Sequence, residues 1–168
     1  MRRRHPSLPA IWLMTDPRMG DALWPALERL PRGSGVVFRH YGVPGRRALY
    51  DRVARIARRR GLLLVAADLP GSRHVHNGRH RGAGVRTAAA HSRREAIQAI
   101  RAGADLLFVS PVFATRSHPG AQTLGRIRFG LLVRHLPVPV IALGGMTEAR
   151  MRGLPGASGW AAIDAWSG

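Results

Sequence analysis

The segment Ser110-Pro111-Val112-Phe113-Ala114-Thr115-Arg116-Ser117-His118-Pro119-Gly120 packs hydroxyls, a guanidinium and an imidazole into the four residues from Thr115 to His118. Such a loop can hold phosphate or pyrophosphate through hydrogen bonds and the planar fork of an arginine. The plainer alternative is a surface loop of turn residues. A second segment runs from Val140-Ile141-Ala142-Leu143 into Gly144-Gly145 and on to Thr147 at a short helix start. Backbone N–H groups exposed there also suit an anion; the alternative is an ordinary tight turn. Polar residues close other apolar runs too, at Thr15-Asp16, Arg39-His40, Asp68, His76-Asn77 and His91-Ser92. Loop ends are polar in most proteins because they are wet, so each weighs little alone.

Of the eight histidines, His74, His76 and His80 invite a zinc reading. His74 and His76 share one face of an extended run. No acidic residue or fourth ligand lies close in sequence, which speaks against a structural zinc site. His40, His91 and His118 remain candidates for acid/base work, because histidine titrates near neutrality. Arg58-Arg59-Arg60 ends a helical pattern, where cations complement the helix dipole. No aromatics interleave with it, as single-strand nucleic-acid binding would favour.

Elements must exist to position these groups. Eight short apolar runs recur: 10–15, 35–40, 62–67, 74–77, 85–91, 106–113, 139–144 and 160–165. Most are continuous rather than alternating, which fits strands buried on both faces of a parallel sheet. Helical patterns separate several of them, over 21–30, 46–60, 92–102, 126–135 and 147–152. Ser92 and Glu95 have the spacing of a capping box, and Gly103 is placed to end that helix. The alternation predicts a (β/α)8 TIM barrel, compact, with helices missing or shortened after strands 3, 4 and 8. A doubly wound open sheet is the alternative.

The chain has 168 residues, enough for one domain. It is read as a basic tail over 1–9 and a single barrel over 10–168. Net charge is +18 and every one of the 27 basic residues is arginine. The absence of lysine excludes a Schiff base on the chain, and the absence of cysteine excludes disulfides and thiolate sites. So large a positive surplus favours anionic ligands. No stretch reaches the roughly 18 apolar residues of a membrane span. The run after Met1-Arg2-Arg3-Arg4 is shorter than the apolar core of about 7–15 residues in a signal peptide. A cytoplasmic enzyme acting on small phosphorylated substrates is the expectation, with no specific nucleic-acid or membrane partner.

The order of segments resembles the thiamine-phosphate synthase/TenI family from Ile11 to about Trp166. Ile11-Trp12-Leu13-Met14-Thr15-Asp16 is similar to the family's opening strand. Gly103-Ala104-Asp105 followed by Pro111-Val112-Phe113-Ala114-Thr115-Arg116-Ser117 resembles its Gly-Ala-Asp and Gly-Pro-x-Phe-x-Thr-x-Thr-Lys signature. Pro139-Val140-Ile141-Ala142-Leu143-Gly144-Gly145-Met146 resembles its Pro-Val-x-Ala-Ile-Gly-Gly-Ile strand.

The resemblance implies an enzyme that joins hydroxymethylpyrimidine pyrophosphate to thiazole phosphate and releases pyrophosphate, with magnesium. It implies that Arg39 holds the pyrophosphate, with His118 standing where the family has a lysine. Thr115, Arg116 and Ser117 would lie near the phosphates, as would His91. Gly144, Gly145 and the backbone around Ile163 would form the thiazole-phosphate site. Asp68 would be the carboxylate that reaches the metal; the second metal aspartate has no counterpart in His76-Asn77-Gly78-Arg79-His80. Asp164 stands where the family has a serine at the phosphate. Two other activities compatible with these residues are a TenI-like thiazole tautomerase and a catalytically inactive phosphate-binding barrel.

Overall fold

The computed structural model describes residues 7–78, 83–115 and 120–166. Eight parallel strands close into a barrel in sequence order: β1 (Ile11–Met14), β2 (Gly35–Phe38), β3 (Leu63–Ala67), β4 (Val75–His76), β5 (Arg86–Ala90), β6 (Leu106–Val109), β7 (Val140–Leu143) and β8 (Gly159–Ala162). β8 returns to β1 through the register Trp12–Ala161. Every apolar run of the sequence became a strand, each shorter than the run. β6 stops before Pro111, which has no N–H to give the ladder. The residues after it turn instead toward β7, where Val112 and Phe113 N–H donate to the Leu143 and Gly144 carbonyls at 2.9 and 3.0 Å.

Helices α1 (Leu23–Arg29), α2 (Arg46–Arg60), α3 (Arg93–Arg101), α4 (Gly125–Val133) and α5 (Glu148–Met151) cover the outside. α2 has the bounds that its spacing predicts. α1 starts two residues later than expected, because Pro17–Ala22 form a 3-10 turn capped by Asp16. No helix lies between β3 and β4, nor between β4 and β5 among the described residues. Arg46 of α2 spans the first gap, donating to the Ala67 and Asp68 carbonyls at the end of β3. After β8 only a 3-10 turn, Asp164–Trp166, follows, and Trp166 stacks on Trp160 with ring centroids 5.4 Å apart.

Strand residues alternate inward and outward. The inward set, Trp12, Met14, Val37, Val65, Leu106, Phe108, Ile141 and Ala161, fills the barrel. Trp12 and Phe108 meet edge to face at 5.2 Å and plug its centre. Outward residues form two further layers. One packs β1 and β2 against α1 and α2 through Leu13, Leu27, Phe38 and Val53; the other packs β6 to β8 against α3 and α4 through Ala96, Leu107, Phe129 and Ala142.

The Ser92 cap forms as expected: its Oγ accepts the Glu95 N–H at 3.2 Å. The Glu95 carboxylate returns to the His91 N–H at 2.8 Å, one residue earlier than in a standard capping box. Ser92→Ala is expected to lower stability by about 1 kcal/mol, measured by urea denaturation, with no change in the denaturant slope.

Candidate active site

Past the Trp12–Phe108 plug, the C-terminal ends of the strands enclose a cavity of about 480 Å³. Period-2 alternation decides which side chains reach it. The columns that begin inside the barrel continue upward as Met14, Arg39, His76, Ala89, His91, Ser110, Leu143 and Ile163, and all of these line the cavity. Thr115, Gly144, Gly145 and Met146 line it from the loops after β6 and β7. The structure therefore brings Arg39, His91, Thr115, Gly144, Gly145 and Ile163 to one place, as the sequence leads one to expect. Arg116, Ser117 and His118 lie outside the described residues.

Arg39 is half-buried, and among the described residues no carboxylate pairs with it or lines the cavity. A desolvated guanidinium without a partner attracts an anion strongly. Its backbone is fixed from below, because the Thr15 hydroxyl accepts the Arg39 N–H at 3.0 Å.

The glycine pair shows two roles. Gly144 and Gly145 have φ of +95° and +57°, a region that other residues enter at a cost. A Cβ on Gly144 would lie 2.8 Å from Pro111 Cα, and one on Gly145 would lie 2.3 Å from the Ala114 carbonyl oxygen. The pair thus lets the β6 loop close down on the β7 loop. Among the described residues the Gly145 N–H donates to no group of the chain, which leaves it for a ligand. Arg150 holds the outer side, donating to the Gly145 carbonyl and covering the Phe113 ring at 5.1 Å. Gly145→Ala is expected to loosen this loop pair, costing about 1–3 kcal/mol of stability and weakening phosphate binding. Thermal unfolding and phosphate titration check the two effects separately.

His91 is oriented by the neighbouring strand. Its Nδ1 lies 2.8 Å from the Ser110 carbonyl oxygen. A carbonyl only accepts, so Nδ1 carries the proton and the neutral ring keeps Nε2 as its acceptor. Nearby, Asn77 Oδ1 accepts the Ala89 N–H at 2.8 Å and ties β4 to β5 where the ladder ends.

Two further candidates are not among the cavity residues. His40 has outward parity: it is buried outside the barrel wall, stacked on Phe38 at 5.0 Å and hydrogen-bonded to Thr15 Oγ1 at 3.0 Å. It does not line the cavity, and burial lowers its pKa. Asp68 follows the inward Ala67 and so falls on the opposite parity. It is exposed, with φ +46°, and is not among the cavity residues. Magnesium is usually held through one or two carboxylates together with substrate phosphates. Among the described residues the lining offers the Ser110 and Thr115 hydroxyls and the Asn77 amide, and no carboxylate. Asp16, the other acid at a strand end, is taken by Arg18 in a two-pronged pair at 2.7 and 2.9 Å. That pair holds its pKa down at about 2, which removes it from proton transfer near neutrality.

His76, one of the histidine trio, is a further residue of this cavity. It lines the cavity at 3% exposure, with Nδ1 2.9 Å from Thr87 Oγ1. Burial, with help from the Arg39 charge, pushes its pKa down to about 3. The unfolded ring takes up a proton near its usual 6.5 while the folded ring stays neutral, so protons favour unfolding. Stability from this group is complete above pH 6.5 and declines as pH falls toward about 3. Asp16 adds its own loss only below its usual 3.8. Between those limits, His76→Phe is expected to flatten the fall of stability with pH, read from denaturation midpoints at several pH values. An unchanged slope would show that His76 is not the group responsible.

Comparison with known proteins places this cavity in a family. A family model described as thiamine monophosphate synthase matches residues 82–166. The chain is 38% identical over 79 residues to the thiamine-phosphate synthase of Chloroflexus aurantiacus, covering 45% of this chain and 37% of that protein. It is 40% identical over 63 residues to the putative thiamine-phosphate synthase 2 of Aquifex aeolicus, covering 38% of this chain and 34% of that protein. The aligned segment thus spans little more than a third of either relative. In fold, the thiamine phosphate pyrophosphorylase of Pyrococcus furiosus superposes with a TM-score of 0.76 at 22% identity, over 96% of this chain and 88% of that one. The matched segment holds the cavity residues of β5 to β8, from Ala89 and His91 to Gly144-Gly145 and Ile163, and on this basis the chain belongs to the thiamine monophosphate synthase/TenI family.

Proposed function

We propose that the chain is a thiamine-phosphate synthase-like enzyme of thiamine biosynthesis, which joins hydroxymethylpyrimidine pyrophosphate to thiazole phosphate and releases pyrophosphate. The observation that carries this is the unpaired, half-buried Arg39 in the same cavity as the glycine pair. Two anion-binding places in one cavity of about 480 Å³ suit two phosphorylated rings held side by side.

In this reading the bond between the pyrimidine methylene carbon and the pyrophosphate oxygen breaks, and its electron pair leaves with pyrophosphate. The thiazole nitrogen then gives its lone pair to that carbon. Arg39 meets the charge that builds on the leaving group. Gly144-Gly145, Thr115 and the Ile163 backbone hold the thiazole phosphate, so the protein contributes placement and charge without a covalent intermediate. No step is assigned to a metal; adding magnesium to the assay tests whether one is required.

A second reading rests on His91. A neutral imidazole whose Nε2 is kept as an acceptor is suited to move a proton on a bound thiazole carboxylate phosphate, the TenI-like isomerisation. One assay separates the two. Purified protein receives both synthase substrates, with and without magnesium, and thiamine phosphate is measured. Product supports the synthase reading. Clear phosphate binding without product turns the assignment to the tautomerase or to an inactive phosphate-binding barrel.

A further inference from the structure

His76 lines the cavity, and beside it in the barrel wall stands a polar partner that the anion chemistry above leaves unused. His76 ends β4 and Thr87 stands beside it on β5, register partners in the parallel ladder. Both are 3% exposed. The imidazole meets the Phe108 ring nearly edge-on at 5.5 Å, which fixes its plane. Thr87 Oγ1 is 2.9 Å from His76 Nδ1, and among the described residues the hydroxyl has no other partner. Donation from Thr87 O–H to Nδ1 satisfies that hydrogen. It also places the ring proton on Nε2, which has no partner among the described residues. The cavity lining that it shares includes the apolar Met14, Ala89, Leu143 and Ala162.

We propose that the His76–Thr87 pair is the specificity element for the ligand's heterocycle: Thr87 fixes the His76 tautomer, and the uncharged Nε2–H donates to an acceptor nitrogen of a neutral aromatic ring seated on the cavity floor. The proposal deepens the synthase reading by naming the residues that select the ring rather than its phosphates. A neutral donor is the right group for this task. A protonated imidazole beside Arg39 would compete for the anion and draw phosphate down to the floor. An uncharged one leaves the anion to Arg39 and discriminates by hydrogen bonding, since a ring lacking the acceptor would leave a buried N–H unsatisfied.

The test compares two probes on the full chain by titration calorimetry: hydroxymethylpyrimidine pyrophosphate and inorganic pyrophosphate. His76→Phe keeps an aromatic ring beside Phe108, one atom larger, and removes both nitrogens. The expected result is a loss of about tenfold in affinity for the pyrimidine compound, with pyrophosphate affinity within twofold of the parent. Thr87→Val, which frees the tautomer, should lose part of the same preference. Nitrogen NMR of the parent at neutral pH supplies a readout that a purely structural role would not move. His76 is expected to carry its proton on Nε2, and that resonance should shift with the pyrimidine compound and not with pyrophosphate. Unchanged preference in His76→Phe, or a proton found on Nδ1, overturns the proposal. If His76→Phe does not fold, Thr87→Val and the NMR measurement decide. The outcomes separate from those of the synthase reading. Thiamine phosphate formed by a His76→Phe variant that keeps its ring preference sinks this proposal alone; ring preference lost in that variant, in a protein that makes no thiamine phosphate, sinks the synthase reading alone.

Discussion

Arg39→Ala is expected to weaken inorganic pyrophosphate binding about a hundredfold, close to 3 kcal/mol, the scale for removing one partner of a desolvated charge pair. The reason is local. Among the described residues Arg39 is the cation of the lining and has no carboxylate to share it with. Arg39→Lys should recover part of the loss, because a lysine restores the charge without the planar two-pronged contact. Stability should change little, since no ion pair is broken. A second signature accompanies the first: Arg39 helps to keep His76 neutral, so its removal should raise the His76 protonation midpoint. Titration calorimetry and histidine NMR measure the two effects. Affinity unchanged in Arg39→Ala would take Arg39 out of the anion site and remove the observation on which the proposed function rests.

Gly35→Ala is expected to be strongly destabilising, because the added methyl group meets the indole at the barrel centre. A Cβ at this position would lie 2.1 Å from Trp12 Cε3 and within 2.4 Å of two more indole atoms. The indole has nowhere to go: it is fully buried, its Nε1 donates to the Pro9 carbonyl at 2.6 Å, and Phe108 meets it edge-on across the barrel. Overpacking of this kind costs about 3 kcal/mol, a drop of roughly 10 °C in melting temperature for a chain of this size. Trp12→Leu should recover part of that loss when combined with Gly35→Ala, because the two sites share one volume and their effects are not additive. A melting temperature within about 2 °C of the parent in the single variant would show that the barrel centre is looser than this packing implies.

Much of the barrel was legible because its signal is local. Eight apolar runs became eight strands, and the bounds of α2 follow from helical spacing alone. The Ser92 cap and the Gly103 stop depend on residues only a few positions apart. The gaps after β3 and β4 were visible as connections too short to hold a helix. The site was legible only where chain position and parity agreed, as at Arg39, His91 and Gly144-Gly145. His40 and Asp68 also close apolar runs, yet His40 packs on the outward Phe38 and Asp68 is exposed beyond the end of its strand. His76 closes an apolar run as well, but nothing local in sequence separates it from His74, and only closure of the ring turns it into the cavity.

The order of types along the chain determined that strands and helices alternate, that positive charge comes from arginine alone, and that a glycine pair ends the seventh strand. Those properties depend on neighbours in sequence. The closed ring decided the rest. Closure assigns each strand end an inward or outward parity and brings Arg39, His76, His91 and Gly145 from four separate strands around one cavity. A single strand, read by itself, has two faces and no means of saying which of them will be enclosed.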